Sequence, residues 1–227
     1  MNIPLLDSLE ELLLDSTRLE NVIRWKKYVI SGEAMKENSL QHSYKAALLA
    51  LKVLENEKKY SERPFDAYLV LKAIILHDLG EIEAGDTVYI DKNKEGEKRE
   101  YDFFKKLISS LPEHITEALD TAYHLQYSNR PGFSEASDKL REDFSMEAKL
   151  FEAIERIGYV IFAYREYAKR NKEKIFVQVL RNQHSHLVSL SKQLRGFGEV
   201  FYTNEMQRDI ENFLKEHDGK YTEQKGE

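Results

Sequence analysis

The stretch Leu69-Val70-Leu71-Lys72-Ala73-Ile74-Ile75-Leu76 constrains the fold more than any other part of the chain, because only Lys72 in it is polar. A helix that is apolar almost all round has to be central, with other helices laid against it. The remaining sequence supplies such helices. Apolar residues recur at helical spacing, and no segment carries the strict alternation of a strand. The four prolines, Pro4, Pro64, Pro112 and Pro131, fall between periodic segments rather than inside them. Helices are expected over residues 5–14, 17–28, 39–57, 65–79, 94–110, 112–127, 144–171, 174–193 and 204–217, with polar connectors at 86–93 and 128–142. Short connections between so many helices predict a single all-α domain over residues 1–227.

Composition removes several chemistries. The 227 residues suffice for a sizeable core, and the chain contains no Cys. That excludes thiolate catalysis, Cys-ligated zinc and a disulfide framework. A net charge of −6 argues against a DNA or RNA polymer as partner, while leaving room for a small basic pocket that takes one phosphate. The first residues lack the basic start and apolar run of a secretory signal, and nothing approaches a membrane-spanning length. A soluble cytoplasmic protein is expected.

The informative residues are ionisable groups where the pattern asks for apolar ones. His42 shares its helical face with Ala46, Leu49, Ala50 and Val53, so it points inward. By itself it reads as a core histidine with a hydrogen-bonded nitrogen. His77 and Asp78 end the apolar run, where burying them is costly unless the pair is neutralised. A capped helix end with a His-Asp hydrogen bond would serve, and so would a divalent metal. Glu81 follows His77 by four residues, on the same face if the helix continues past Gly80. Glu155 lies among Ala148, Phe151, Gly158, Tyr159 and Phe162 on the helix expected over 144–171. An internal ion pair or a metal ligand would explain it. Three separate helices thus direct ligand-type groups inward.

The ordered set His42, His77-Asp78, Glu81, Gly85-Asp86 and Glu147-Ala148-Lys149 resembles the HD-domain phosphohydrolase superfamily, and most closely its branch of bacterial 5′-deoxynucleotidases. The similarity runs over about residues 17–165. It implies one divalent metal (manganese, cobalt, iron, magnesium or zinc) held by His42, His77, Asp78 and Glu155. The last is a departure, since the family typically carries Asp there. Gln41 stands where that branch usually has Glu, and a place behind the metal ligands is expected for it. The resemblance also implies that Glu81 and Asp86 orient water and move protons. Arg24-Trp25 matches an Arg-Trp pair in which Arg holds the substrate phosphate and Trp packs near the sugar. The expected activity is removal of phosphate from 5′-deoxyribonucleoside monophosphates by metal-activated water. The alternative is a degenerate HD domain that binds a nucleotide or a partner without catalysis.

Other features carry less. His184 and His186 are two apart on an expected helix and face different ways. Lys92, Lys94, Lys98 and Arg99 read as a solvated segment, and His114, His124 and His217 as surface or satisfied core residues. Residues 174–217 lie beyond the matched core and complete the bundle or build an interface. A small nucleotide is the expected partner, and family analogy alone suggests a homodimer.

Overall fold

The helix that carries His42 begins where its sequence supplies a cap. Asn38 Oδ1 accepts a hydrogen bond from the Gln41 amide at 2.8 Å, and the Gln41 side chain accepts one from the Asn38 amide at 3.4 Å. This reciprocal box satisfies two amides that the first turn leaves without partners. It also assigns Gln41, which is exposed, to starting a helix rather than to the shell behind a metal ligand.

The computed structural model describes residues 10, 13–14, 16–25, 36–86, 93–128, 139–140, 142–169 and 174–218. Its α-helices are α1 (Ser39–Tyr60), α2 (Ala67–Leu76), α3 (Glu81–Ala84), α4 (Lys94–Ile108), α5 (Glu113–His124), α6 (Ser145–Ala168), α7 (Lys174–Gln193), α8 (Arg195–Val200) and α9 (Asn204–Asp218). Short 3-10 turns occupy Arg18–Asn21 and Leu125–Tyr127. Among the described residues there is no strand, only an isolated antiparallel bridge between Ile23 and Asn38. The fold is all-α, as expected. No helix of the described residues is long and apolar enough to cross a membrane.

Two of the expected helices need correction. The helix expected over 17–28 is instead a 3-10 turn followed by an extended segment paired to residues 37–39. Residues 26–28 lie outside the described set, as does most of the helix expected over 5–14. The helix expected over 65–79 ends at Leu76, and a tight turn through Gly80 separates it from α3. Its apolar run is also not covered on every side, because Ile75 remains 49% exposed.

The chain forms two compact units. The first comprises Met1–Lys27, Lys36–Ala50 and Phe65–Phe151. There α2 packs along α5, and Asp66 caps α2 by accepting from the Leu69 amide at 2.9 Å. Its core joins Leu19, Val22, Leu79, Phe104, Ile108, Tyr123 and Tyr127, with the Phe104 and Tyr123 rings stacked at 3.9 Å. Gly80 sits in this packing at a point where nothing larger fits.

The second unit comprises Tyr28–Met35, Leu51–Pro64 and Glu152–Glu227. There α7 packs against α8 and α9. Helix α8 falls between two expected helices, where none is expected, and its Gly196 and Gly198 disfavour a helix locally. Its first turn has no capping side chain of its own. The buried Glu57 carboxylate supplies one, accepting from the Phe197 amide at 2.8 Å, and Asn56 donates to the Gly196 carbonyl at 2.6 Å. A Cβ on Gly196 would lie 2.8 Å from the Glu57 backbone, so the glycine permits this approach.

Burial raises the Glu57 pKa above its ordinary value, opposed in part by the amides of Phe197, Gly196 and Arg195. Stability from this group is therefore complete at low pH and is lost as pH rises through the folded-state pKa. A Glu57→Gln chain keeps the acceptor and lacks the loss. Urea unfolding of the two chains should agree at low pH and separate in favour of Gln as pH rises. Glu57→Ala, which strands the Phe197 amide, should cost about 1–3 kcal/mol throughout.

Candidate metal centre

The centre is assembled in the first unit by an N-terminal segment clasped to the start of α1. The Arg24 amide donates to the Glu37 carbonyl at 2.9 Å, and the Ser39 amide donates to the Val22 carbonyl at 2.9 Å. His42 lies on the first turn of α1 and is buried. From the other side, α2 delivers His77 at its C-terminal cap, and Asp78 follows in the turn. The His42, His77 and Asp78 side chains each offer a ligand atom, all within 4.8 Å of one another. Among the described residues they are the one group of three His, Asp or Glu side chains that converges so closely.

The tautomer of His77 follows from its partner. Its Nδ1 lies 2.8 Å from the Ile74 carbonyl, which can only accept, so Nδ1 carries the proton. In the neutral ring Nε2 then presents a lone pair, and it does so 3.1 Å from Asp78 Oδ1. Two lone pairs at that distance need a cation between them or a second proton on the ring. His42 Nε2 lies 3.9 Å from Asp78 Oδ2, and the two imidazoles meet edge to face with centroids 5.5 Å apart. Two imidazole nitrogens and a carboxylate form a donor set suited to manganese, iron, cobalt or zinc. The residues present therefore fit a divalent ion.

Charged groups surround this set. Arg24 Nη1 lies 2.9 Å from Asp78 Oδ2 and 3.9 Å from Glu81 Oε2. Arg24 and Glu81 are both buried. Ser39 donates its hydroxyl to Glu81 Oε2 at 2.8 Å, which fixes that carboxylate. On the Nδ1 side of His42, Glu37 Oε2 lies 4.0 Å away, and Lys45 holds the other Glu37 oxygen at 2.6 Å. Tyr127 stays protonated, since burial and then Tyr123, Glu100 and Glu81 push its pKa up.

Arg24, His42, His77, Asp78 and Glu81 thus come together. Asp86 is engaged elsewhere: its Oδ2 accepts from the Trp25 backbone amide at 2.9 Å. Trp25 is buried and is the one described non-glycine residue with positive φ, at 58°. Glu155 stands one helical turn after Phe151 on α6, is buried, and belongs to the second unit. Sequence reasoning missed Glu37 and Ser39. His184 and His186 engage Tyr202 and Glu152, and His124 is buried against Tyr101. A separate cleft of about 400 Å³ is lined by Glu83, Ala84, Arg99, Asp102, Phe103 and Lys106, and by none of the expected site residues.

A family model described as HD domain matches residues 17–195, most of the chain. The chain belongs to the HD domain family. The matched range contains the adjacent His77 and Asp78. The HD fold is similar to the crystal structure of the predicted metal-dependent phosphohydrolase from Magnetospirillum magnetotacticum MS-1. That match has a TM-score of 0.64 and 18% identity over 94% of both chains. A conserved hypothetical protein from Pyrococcus furiosus matches with a TM-score of 0.55 and 19% identity, over 88% of this chain and 98% of its own. At these identities the likeness is one of fold. No curated protein matches this HD domain chain.

Proposed function

We propose that the protein is a metal-dependent phosphohydrolase that removes phosphate from 5′-deoxyribonucleoside monophosphates. The observation that carries the reading is the inward cluster of His42, His77 and Asp78, with His77 Nε2 3.1 Å from Asp78 Oδ1 and a buried arginine alongside. A structural neighbour described as a predicted metal-dependent phosphohydrolase supports the reaction class. The choice of a monophosphate rests on the family pattern around Arg24-Trp25.

His42, His77 and Asp78 would hold one divalent ion, with Glu155 nominated as a further ligand by the family pattern alone. Such an ion supplies Lewis-acid polarisation of the phosphoryl group and acidifies water. Glu81, steadied by Ser39, takes the proton from the attacking water as its oxygen bonds to phosphorus in line with the breaking P–O5′ bond, and the leaving 5′-oxygen takes a proton from water or back from Glu81. Arg24 presents a planar fork of donors that matches phosphate oxygens and offsets charge gathering there. Trp25 packs against the sugar. The substrate is a small nucleotide in solution, not a polymer.

Phosphate release from a nucleotide panel tests this. Protein stripped with chelator and reloaded with manganese or cobalt should release phosphate from deoxyribonucleoside monophosphates. Release from triphosphates alone would keep the chemistry and sink the substrate. No release with any metal from folded protein would favour a noncatalytic nucleotide- or partner-binding domain.

A further inference from the structure

We infer that Asp86 is a positioning residue, acting through the Trp25 backbone to hold Arg24 against Asp78. The inference deepens the proposed function and rests on it only for the role of Arg24. Trp25 sits at φ 58°, in the left-handed region that bulky residues avoid. Such a conformation persists only where surrounding contacts over-determine it. Here the contacts come from two sides. The preceding residue is tied by the Arg24 amide to the Glu37 carbonyl at 2.9 Å. The Trp25 amide itself donates to Asp86 Oδ2 at 2.9 Å.

The source of Asp86 is equally built. Helix α3 ends at Gly85, whose amide donates to the Glu81 carbonyl at 2.7 Å and whose φ is 75°. Glycine takes that conformation at no steric cost, and the turn sends the chain toward Trp25. The Arg24-Trp25 turn is thus pinned to both ends of residues 78–86. The Arg24 guanidinium meets Asp78 at 2.9 Å, and the Trp25 amide meets Asp86 at the same distance. Releasing the second pin frees the turn and lowers the occupancy of Arg24 beside the cluster.

The chain reports on its own latch, because it contains a single Trp. Trp25 fluorescence, acrylamide quenching and steady-state kinetics with manganese would be compared in wild type, Asp86→Ala and Asp86→Asn. An asparagine side-chain oxygen still accepts from the Trp25 amide but cannot shuttle a proton. Asp86→Ala should shift Trp25 emission to the red, increase its quenching and raise KM by about tenfold, the effect of one lost hydrogen bond to a charged group. Asp86→Asn should restore the emission and recover most of the KM, with the pH profile of kcat unmoved. A loss of about 100-fold in kcat for Asp86→Asn with unshifted fluorescence would overturn the inference, because that is the loss of a proton-transfer group. So would wild-type fluorescence in folded Asp86→Ala. If circular dichroism finds Asp86→Ala unfolded, the fluorescence and kcat of Asp86→Asn decide. If wild type itself releases no phosphate, the proposed function fails and the fluorescence comparison still decides the latch.

Discussion

Asp78→Ala should lose both phosphate release and stability, and the two losses have different causes. Asp78 is 3% exposed and its carboxylate is shared: Oδ1 lies 3.1 Å from His77 Nε2, and Oδ2 lies 2.9 Å from Arg24. Removing it deletes one of the three converging ligand groups. It also strands the Arg24 guanidinium, itself 4% exposed, without this partner. Breaking a buried ion pair on one side costs about 3–5 kcal/mol. Chemical unfolding of Asp78→Ala should read a loss of that order. Phosphate release should fall by at least about 100-fold, the effect of losing one electrostatic group at a reacting centre. A double variant, Arg24→Ala/Asp78→Ala, separates the two effects. Removing Arg24 as well deletes the guanidinium that the single variant leaves beside an emptied site, so part of the stability should return while activity does not.

The second large effect is structural. A Cβ on Gly80 would lie 2.5 Å from the Glu100 carbonyl oxygen and 2.6 Å from the Tyr123 hydroxyl. The first obstacle is backbone and cannot rotate away. Gly80→Ala must therefore push the His77–Glu81 turn off α4, at a cost of about 3 kcal/mol, the upper part of the usual overpacking range. That turn carries Asp78 and Glu81, so metal-dependent activity should fall together with stability. Gly158→Ala is the control. Nothing lies within 4 Å of a Cβ there, and the helix interior should gain about 0.5–1 kcal/mol. Equal unfolding midpoints for wild type and Gly80→Ala would contradict the packing argument.

His42 was legible in the sequence as an ionisable group on an apolar helical face, and His77 and Asp78 as a polar pair ending an apolar run; Glu81 was marked by the family pattern, since the helix that would place it on the His77 face ends at Leu76. Burial makes such groups conspicuous whatever their tertiary partners. Arg24 was legible only through the family pattern, since the spacing around it fits a helix that does not form. Val22, Ile23 and Trp25 have the apolar character of a helix face, but hydrogen bonds to residues 37–39 hold residues 22–24 out of a helix and Trp25 turns away to Asp86. No local signal encodes a pairing partner so far along the chain. Glu37 and Ser39 were missed because one precedes the helix and the other reads as an ordinary first-turn serine. Their roles exist only once Lys45, His42 and Glu81 are brought around them. Helix α8 was missed for a related reason. Its glycines disfavour a helix locally, yet Gly196 permits close packing on Glu57 and Asn56.

Metal content is the most direct test of the centre. Wild type and Asp78→Ala would be stripped with chelator, reloaded with manganese, desalted and measured by plasma mass spectrometry. Wild type should retain close to one equivalent of metal and the variant almost none. No retained metal in folded wild type, or equal metal in both chains, would contradict the metal centre.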